Sequence, residues 1–355
     1  MRCERAIDGR PVLRFTSGLE IGLGNLAAVA VLTVAAVVLT TLSLTVGFAD
    51  TRVTDLAAAW HDGQDYELQF ALLNVRLPRI VLGFMAGWCL ALTGAMLQSL
   101  SQNPLADPGL LGLSQGSMVT ILLLLLFVPS APLGLIPVAA VVGGLAVVAL
   151  LVWLMGGSTD GNSGLTLLLM GIAVDTMLSS VSSILILYAP PEISFAVSAW
   201  LAGSLFQASW GSIAALVPWF TLSLPAILLL GRAMRCYDLG DDTAMALGVP
   251  VTWSKPLILF VAVLLTSAAV TAVGPLVFLG VMAPHLAGFL SRSAGRARLV
   301  LSALTGGLLV VAADTLVRAT TSDLALPLGL SLTLIGVPLF ILTLRLRALA
   351  TLRSE

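Results

Sequence analysis

The sequence predicts an all-α polytopic membrane protein with about ten transmembrane helices, and three observations predict it. Of 355 residues, 58% are hydrophobic and only 10% charged, against roughly 25% charged in soluble domains, and the mean hydropathy is +1.05. Ten apolar runs of bilayer-crossing length follow one another, at about 21–46, 77–100, 110–128, 135–155, 165–188, 211–230, 256–273, 275–290, 299–318 and 326–345. The basic residues, finally, sort to one side of those runs. No polar stretch is long enough for a separate globular domain, so the chain divides into an N-terminal segment 1–20, one membrane domain 21–345 and a tail 346–355.

Ten spans place both termini on the same side. Segments 1–20, 231–256, 291–298 and 345–355 hold thirteen of the seventeen basic residues, which leaves Arg52, Arg76, Arg79 and Arg318 opposite them. Both termini are therefore expected in the cytoplasm, with 48–76 as the largest external loop. The first run follows Arg2, Arg5, Arg10 and Arg14 as a signal peptide would. Its apolar stretch is far longer than a signal's, and no small-x-small cleavage site follows, so it reads as a retained helix. A net charge of −1 gives no reason to expect a nucleic acid partner, and the three scattered cysteines suit neither a disulfide framework nor a thiolate metal site.

Several short segments interrupt the spans. In Ser101-Gln102-Asn103-Pro104-Leu105-Ala106-Asp107-Pro108, Pro104 cannot continue a helix, while Asp107 before Pro108 suits a cap and a restart; an ordinary tight turn is the alternative. The centre of 231–256 predicts a two-turn helix over about 241–247. Asp241 and Asp242 open it, Ala244, Met245 and Leu247 follow, Gly248 sits where a C′ residue belongs, and Pro250 lies beyond. Such a helix spans nothing: it packs back on the bundle, or offers Ala244, Met245 and Leu247 to a partner. The seventh run ends at Gly274-Pro275, and Pro284-His285 is expected to interrupt the eighth. Asp175, deep in the fifth run, is either a functional group or a buried hydrogen-bond partner of a neighbouring Ser or Thr. Asp314 and Arg318 stand four apart and are expected to pair.

Enzymatic readings find little support. Gly161-Asn162-Ser163-Gly164 matches the pattern around an intramembrane serine nucleophile, with His285 as nominal base, but it sits in a turn-forming composition and His285 directly follows a proline. The only histidines, His61 and His285, lie too far apart for a His-Glu-x-x-His site, and the only lysine, Lys255, is not in a phosphate-binding loop.

Taken in order, these segments resemble the FecCD (BtuC-like) permeases, the membrane subunits of bacterial ABC importers for iron-siderophores, haem and cobalamin. The resemblance covers about 70–345 and rests on Arg76-Leu77-Pro78-Arg79, Gly94-Ala95-Met96-Leu97-Gln98, Asn103-Pro104-Leu105-Ala106-Asp107-Pro108, Leu239-Gly240 with Ala246-Leu247-Gly248-Val249, Gly274-Pro275-Leu276-Val277-Phe278-Leu279-Gly280, Pro284-His285, Ala313-Asp314 with Arg318, Leu326-Pro327-Leu328-Gly329, and Ile335-Gly336-Val337-Pro338-Leu339-Phe340. Gly288 departs from the pattern, standing where the family commonly has a basic residue.

The resemblance implies a multi-pass subunit of the bacterial cytoplasmic (inner) membrane that pairs with a second permease subunit around a central pathway. It has no cofactor of its own and catalyses no reaction; ATP and Mg belong to two separate cytoplasmic ATPase subunits. The helix at 241–247, with Asp241, Asp242, Ala244, Met245, Leu247 and Gly248, corresponds to the coupling helix that meets the ATPase. Arg76, Arg79 and Arg318 match rim positions that dock an extracytoplasmic substrate-binding protein. Segment 158–166 corresponds to the gate, with Ser163, Gly164 and Thr166, and Asp175 is a candidate for the pathway wall. The alternative function is a secondary transporter coupled to protons through Asp175.

Overall fold

The computed structural model describes residues 2–5, 11–14, 20–46, 66–132, 134–154, 163–191, 194, 200–320 and 327–352. Ten apolar helices and one short polar one make up most of it. Helix α1 spans Leu23–Thr45. Helix α2 spans Leu77–Ser101 and is continued at its start by Tyr66–Phe70 and a wider π turn at Ala71–Arg76. Then come α3 (Leu113–Phe127), α4 (Leu135–Leu154), α5 (Ser163–Tyr188), α6 (Trp210–Tyr237), the short α7 (Asp241–Ala246), α8 (Val251–Val273), α9 (Leu279–Leu290), α10 (Gly295–Thr320) and α11 (Leu328–Leu352).

Among the described residues seven helices are long and apolar enough to cross a membrane, while α3, α9 and the apolar part of α11 are shorter. The eighth run, expected over 275–290, is helical only from Leu279, for twelve residues. Gly274 at φ +76° and Phe278 at φ +64° turn the chain between α8 and α9, so that α9 begins inside the bundle. Its depth follows from Gly94: a Cβ there would lie 2.2 Å from the Gly280 carbonyl oxygen. Gly94 is seven residues before the end of α2, so the start of α9 is about 10 Å in from that end.

Pro284 does not interrupt α9, contrary to expectation; the helix runs through it. A proline here removes the N–H that would bond the Gly280 carbonyl. Gln98 of α2 donates its Nε2 to that same carbonyl at 3.2 Å, which satisfies the freed acceptor from a neighbouring helix.

Helix α2 occupies the centre, with 89% of its most apolar window buried, and packs against α6, α8, α9 and α10. A helix covered on all sides has no polar face, as its sequence shows. Glycine allows the closest crossings: a Cβ on Gly87 would meet the Gly306 carbonyl oxygen of α10 at 2.5 Å. Helices α1 and α5 are peripheral, each with 17% of its window buried.

The N-terminal segment contains structure that hydropathy did not indicate. Strands β1 (Arg2–Arg5), β2 (Pro11–Arg14) and β3 (Glu20–Gly22) form an antiparallel sheet, with Cys3 opposite Leu13 and Val12 opposite Gly22. Val12 is buried, and β2 and β3 pack on the start of α1.

Hydrogen bonds at the helix ends define two faces of the bundle. Ser291, after α9, donates to Asn25 near the start of α1, and Arg298 near the start of α10 reaches the end of α2. That end, which also carries α7, is the α7 face. The opposite end carries Arg76, Trp210 and Arg318, with Trp210 Nε1 donating to the Leu73 carbonyl.

Candidate functional site

On the α7 face, glycines at positive φ close the short helix at both ends: Gly240 at +104° and Gly248 at +85°. The Gly248 N–H bonds the Met245 carbonyl and the Val249 N–H bonds the Ala244 carbonyl, both at 2.9 Å. These are the paired bonds of a Schellman ending, which explains Gly248 at C′. Lys255 of α8 forms an ion pair with Asp241 and so ties α7 to α8, while Tyr237 and Ser254 share a 2.6 Å hydroxyl contact that joins the two helices flanking α7.

Its outward surface differs from expectation at one position. Ala244 is fully buried in the main core and not presented outward. Met245 and Leu247 do point out, joined by Leu239 and by Trp253, which is 81% exposed. A cluster of large exposed apolar side chains beside Asp242 is a surface suited to a protein partner.

Behind α7 lies a partly buried polar network. Arg298 Nη1 donates to Asp238 Oδ1 at 2.7 Å and to Ser99 Oγ at 3.2 Å, while its Nη2 donates to Gln98 Oε1 at 2.9 Å. Ser99 in turn donates to Asp238 at 2.7 Å. Four elements, α2, α10, the α6–α7 junction and, through Gln98 and Gly280, α9, meet here.

On the opposite face Arg76, Arg79 and Arg318 come together, directed inward. Arg79 donates through both Nε and Nη2 to Asp314 Oδ1 at 2.7 Å, and Arg318 Nε donates to Asp314 Oδ2 at 2.9 Å. The expected Asp314–Arg318 pair is thus present, and the same carboxylate also ties α10 to α2. Arg318 further donates to the carbonyls of Ser43 and Val46 and to the Ser43 hydroxyl, and Arg76 to the carbonyl of Leu44. These carbonyls lie at the end of α1, where helices leave acceptors unpaired and the dipole favours cations. Arg76 is 5% exposed, and Arg79 is the most exposed of the three side chains.

Just beyond the end of α2, Asn103 Oδ1 accepts from the Leu105 N–H and Asp107 Oδ1 from the Gly109 N–H, each at 2.8 Å. These local bonds shape the break between α2 and α3. The segment returns into the bundle: a Cβ on Gly280 would meet Asp107 Oδ2 at 2.6 Å and Pro108 Cδ at 2.8 Å. The Asp107 carboxylate therefore lies against the first turn of α9. Gly112, at φ +74°, brings the start of α3 against α5, where an added Cβ would lie 3.3 Å from the Asp175 nitrogen. The Asp175 side chain is half-buried, and among the described residues no Ser or Thr donates to it.

The gate expected at 158–166 is divided. Residues 158–162 lie outside the described residues, while Ser163, Gly164 and Thr166 form the first turn of α5. His285 packs edge-on against Phe340, with ring centroids 4.9 Å apart.

Residues 34–346 match the family model described as the FecCD transport family. The chain belongs to that family. It is 32% identical over 327 residues to the Fe(3+)-citrate import system permease protein YfmE of Bacillus subtilis, covering 91% of this chain and 96% of that one. It is 36% identical over 296 residues to the cobalamin import system permease protein BtuC of Halobacterium salinarum, covering 83% and 79%. A solved structure of a metal-chelate type ABC transporter in an inward-facing conformation superposes with TM-score 0.78 at 26% identity, covering 89% of this chain and 98% of that one. The fold is the ABC importer permease fold, and the FecCD chain is a multi-pass permease of the cytoplasmic membrane.

For a FecCD permease, the residues missed by sequence reasoning are Ser99, Asp238, Arg298 and Trp253. A signal existed for one of them: Arg298 lies in a basic segment between two apolar runs, directly opposite the polar Gln98-Ser99 end of α2.

Proposed function

We propose that this permease forms half of a translocation pathway for an iron-siderophore or a related iron, haem or cobalamin chelate, with a second permease subunit as the other half. The α7 face is cytoplasmic and engages one of two separate ATPase subunits, which bind ATP and Mg and perform the hydrolysis. The Arg76 face is extracytoplasmic and receives a substrate-binding protein. The observation that carries this reading is α7 itself: a two-turn helix, closed by two glycines and pinned by Lys255, that presents Met245 and Leu247 outward.

The relatives named above carry ferric citrate in one case and cobalamin in the other, so the cargo class is a bulky metal chelate, and selectivity is assigned to the binding protein. At the docking rim, Arg79 and Arg318 share the single Asp314 carboxylate, which leaves a positive field for acidic groups on that protein. Arg79, the most exposed, is the member best placed for direct contact.

The test is purification from native membrane in mild detergent, followed by reconstitution in liposomes and ATP-driven chelate uptake. A co-purifying ATPase and uptake that requires ATP are expected. Uptake driven by an imposed proton gradient without ATP would overturn the proposal.

A further inference from the structure

We propose that Arg298 is a positioning residue that links movement of α7 to the re-entrant helix α9, acting through Gln98; this rests on the permease reading above. The link is continuous. Asp238 stands three residues before α7 and is held by Arg298 at 2.7 Å. The same guanidinium holds Gln98 Oε1 at 2.9 Å, and the other end of that amide holds the Gly280 carbonyl at 3.2 Å.

The chemistry makes this link directional. Gln98 can accept from Arg298 and donate to Gly280 at once only in one orientation of its amide, and the carbonyl it serves is the one Pro284 leaves without a helical partner. The Gly280 carbonyl in the first turn of α9 is thus held by a side chain that Arg298 orients, in place of the N–H that Pro284 lacks. Asp107 leans on that same turn, and the segment that carries it leads to Gly112 and the α5 backbone at Asp175. A displacement of α7 therefore pulls on Asp238 and reaches, through two side chains, the start of α9 inside the bundle. Networks of this kind carry coupling when they join elements that move as units.

An ordinary structural ion pair would look similar in a stability experiment, so the test separates the two. The intact complex, with its ATPase subunits and binding protein, is reconstituted in liposomes, and chelate taken up per ATP hydrolysed is measured for wild type, Arg298→Gln, Gln98→Leu and the exchange pair Arg298→Asp with Asp238→Arg. The exchange restores opposite charges between α10 and the α6–α7 junction, but an aspartate cannot donate to Gln98 Oε1. The expected result is a fall in uptake per ATP of about tenfold in all three, within the usual range of coupling effects, with ATP hydrolysis continuing. If the exchange pair returns the ratio to wild type, Arg298 is only an ion-pair partner and the proposal fails. It also fails if Gln98→Leu, which leaves the Arg298–Asp238 pair in place, keeps the wild-type ratio; that variant decides the matter should Arg298→Gln not assemble. If wild type itself shows no ATP-driven uptake, the permease reading fails first, and the link falls with it.

Discussion

Gln98 of α2 supplies to Gly280 of α9 the hydrogen bond that Pro284 withholds. The pair are 182 residues apart in sequence, and the 3.2 Å bond between them satisfies the acceptor that a proline inside a twelve-residue helix leaves free. Removing the amide in Gln98→Leu leaves a buried carbonyl unpaired and should destabilise the fold by about 1–3 kcal/mol, read as a lower melting temperature in detergent. Pro284→Ala restores the helical N–H. A double variant that loses less than the sum of the single losses will establish the compensation, and strict additivity will refute it.

Asp314 holds two arginines from two helices with a side chain 4% exposed. Asp314→Asn leaves Arg79 and Arg318 without their counter-charge in a largely buried setting, where breaking a pair typically costs about 3–5 kcal/mol. We expect poor membrane yield and early thermal unfolding. Arg79→Gln is milder: the fold is retained, and binding-protein docking weakens, most visibly at low ionic strength.

Leu247→Asp should abolish association with the ATPase while leaving this chain folded, because Leu247 is 60% exposed and makes no core contact that the charge would disturb. For an interface anchor the loss is expected at about 2 kcal/mol or more, measured by co-purification. Ala244→Asp, at the fully buried position one turn back, should instead unfold α7.

Asp175→Asn distinguishes the two transport mechanisms. In an ATP-driven permease most uptake persists, since nothing requires a proton at Asp175; in a proton-coupled carrier uptake is lost. The liposome assay with ATP inside, and with or without an imposed proton gradient, reads the difference directly.

The helices and their ends were legible because their signals are local. Apolar length, Gly248 before Pro250, and Asp314 four residues from Arg318 are all set within a few positions of the chain. Ala244 turned inward, where the same local reading had placed it outward, because a two-turn helix with apolar residues on several sides gives no internal signal for which side meets the bundle. The strands at Arg2–Arg5, Pro11–Arg14 and Glu20–Gly22 were missed for a related reason: three- and four-residue strands carry too little alternation to register.

By itself, the sequence determined a membrane protein of the FecCD family, most of its helical spans and the short helix between α6 and α8. Tertiary structure decided where α9 begins, that Gln98 and Arg298 support it, and that three rim arginines converge on Asp314 and the end of α1. The division has a physical cause. Hydropathy and capping depend on neighbours three or four residues away, whereas a bond between residues about 200 positions apart depends on the rotation and depth of each helix, and close packing around glycines such as Gly87 and Gly94 sets those.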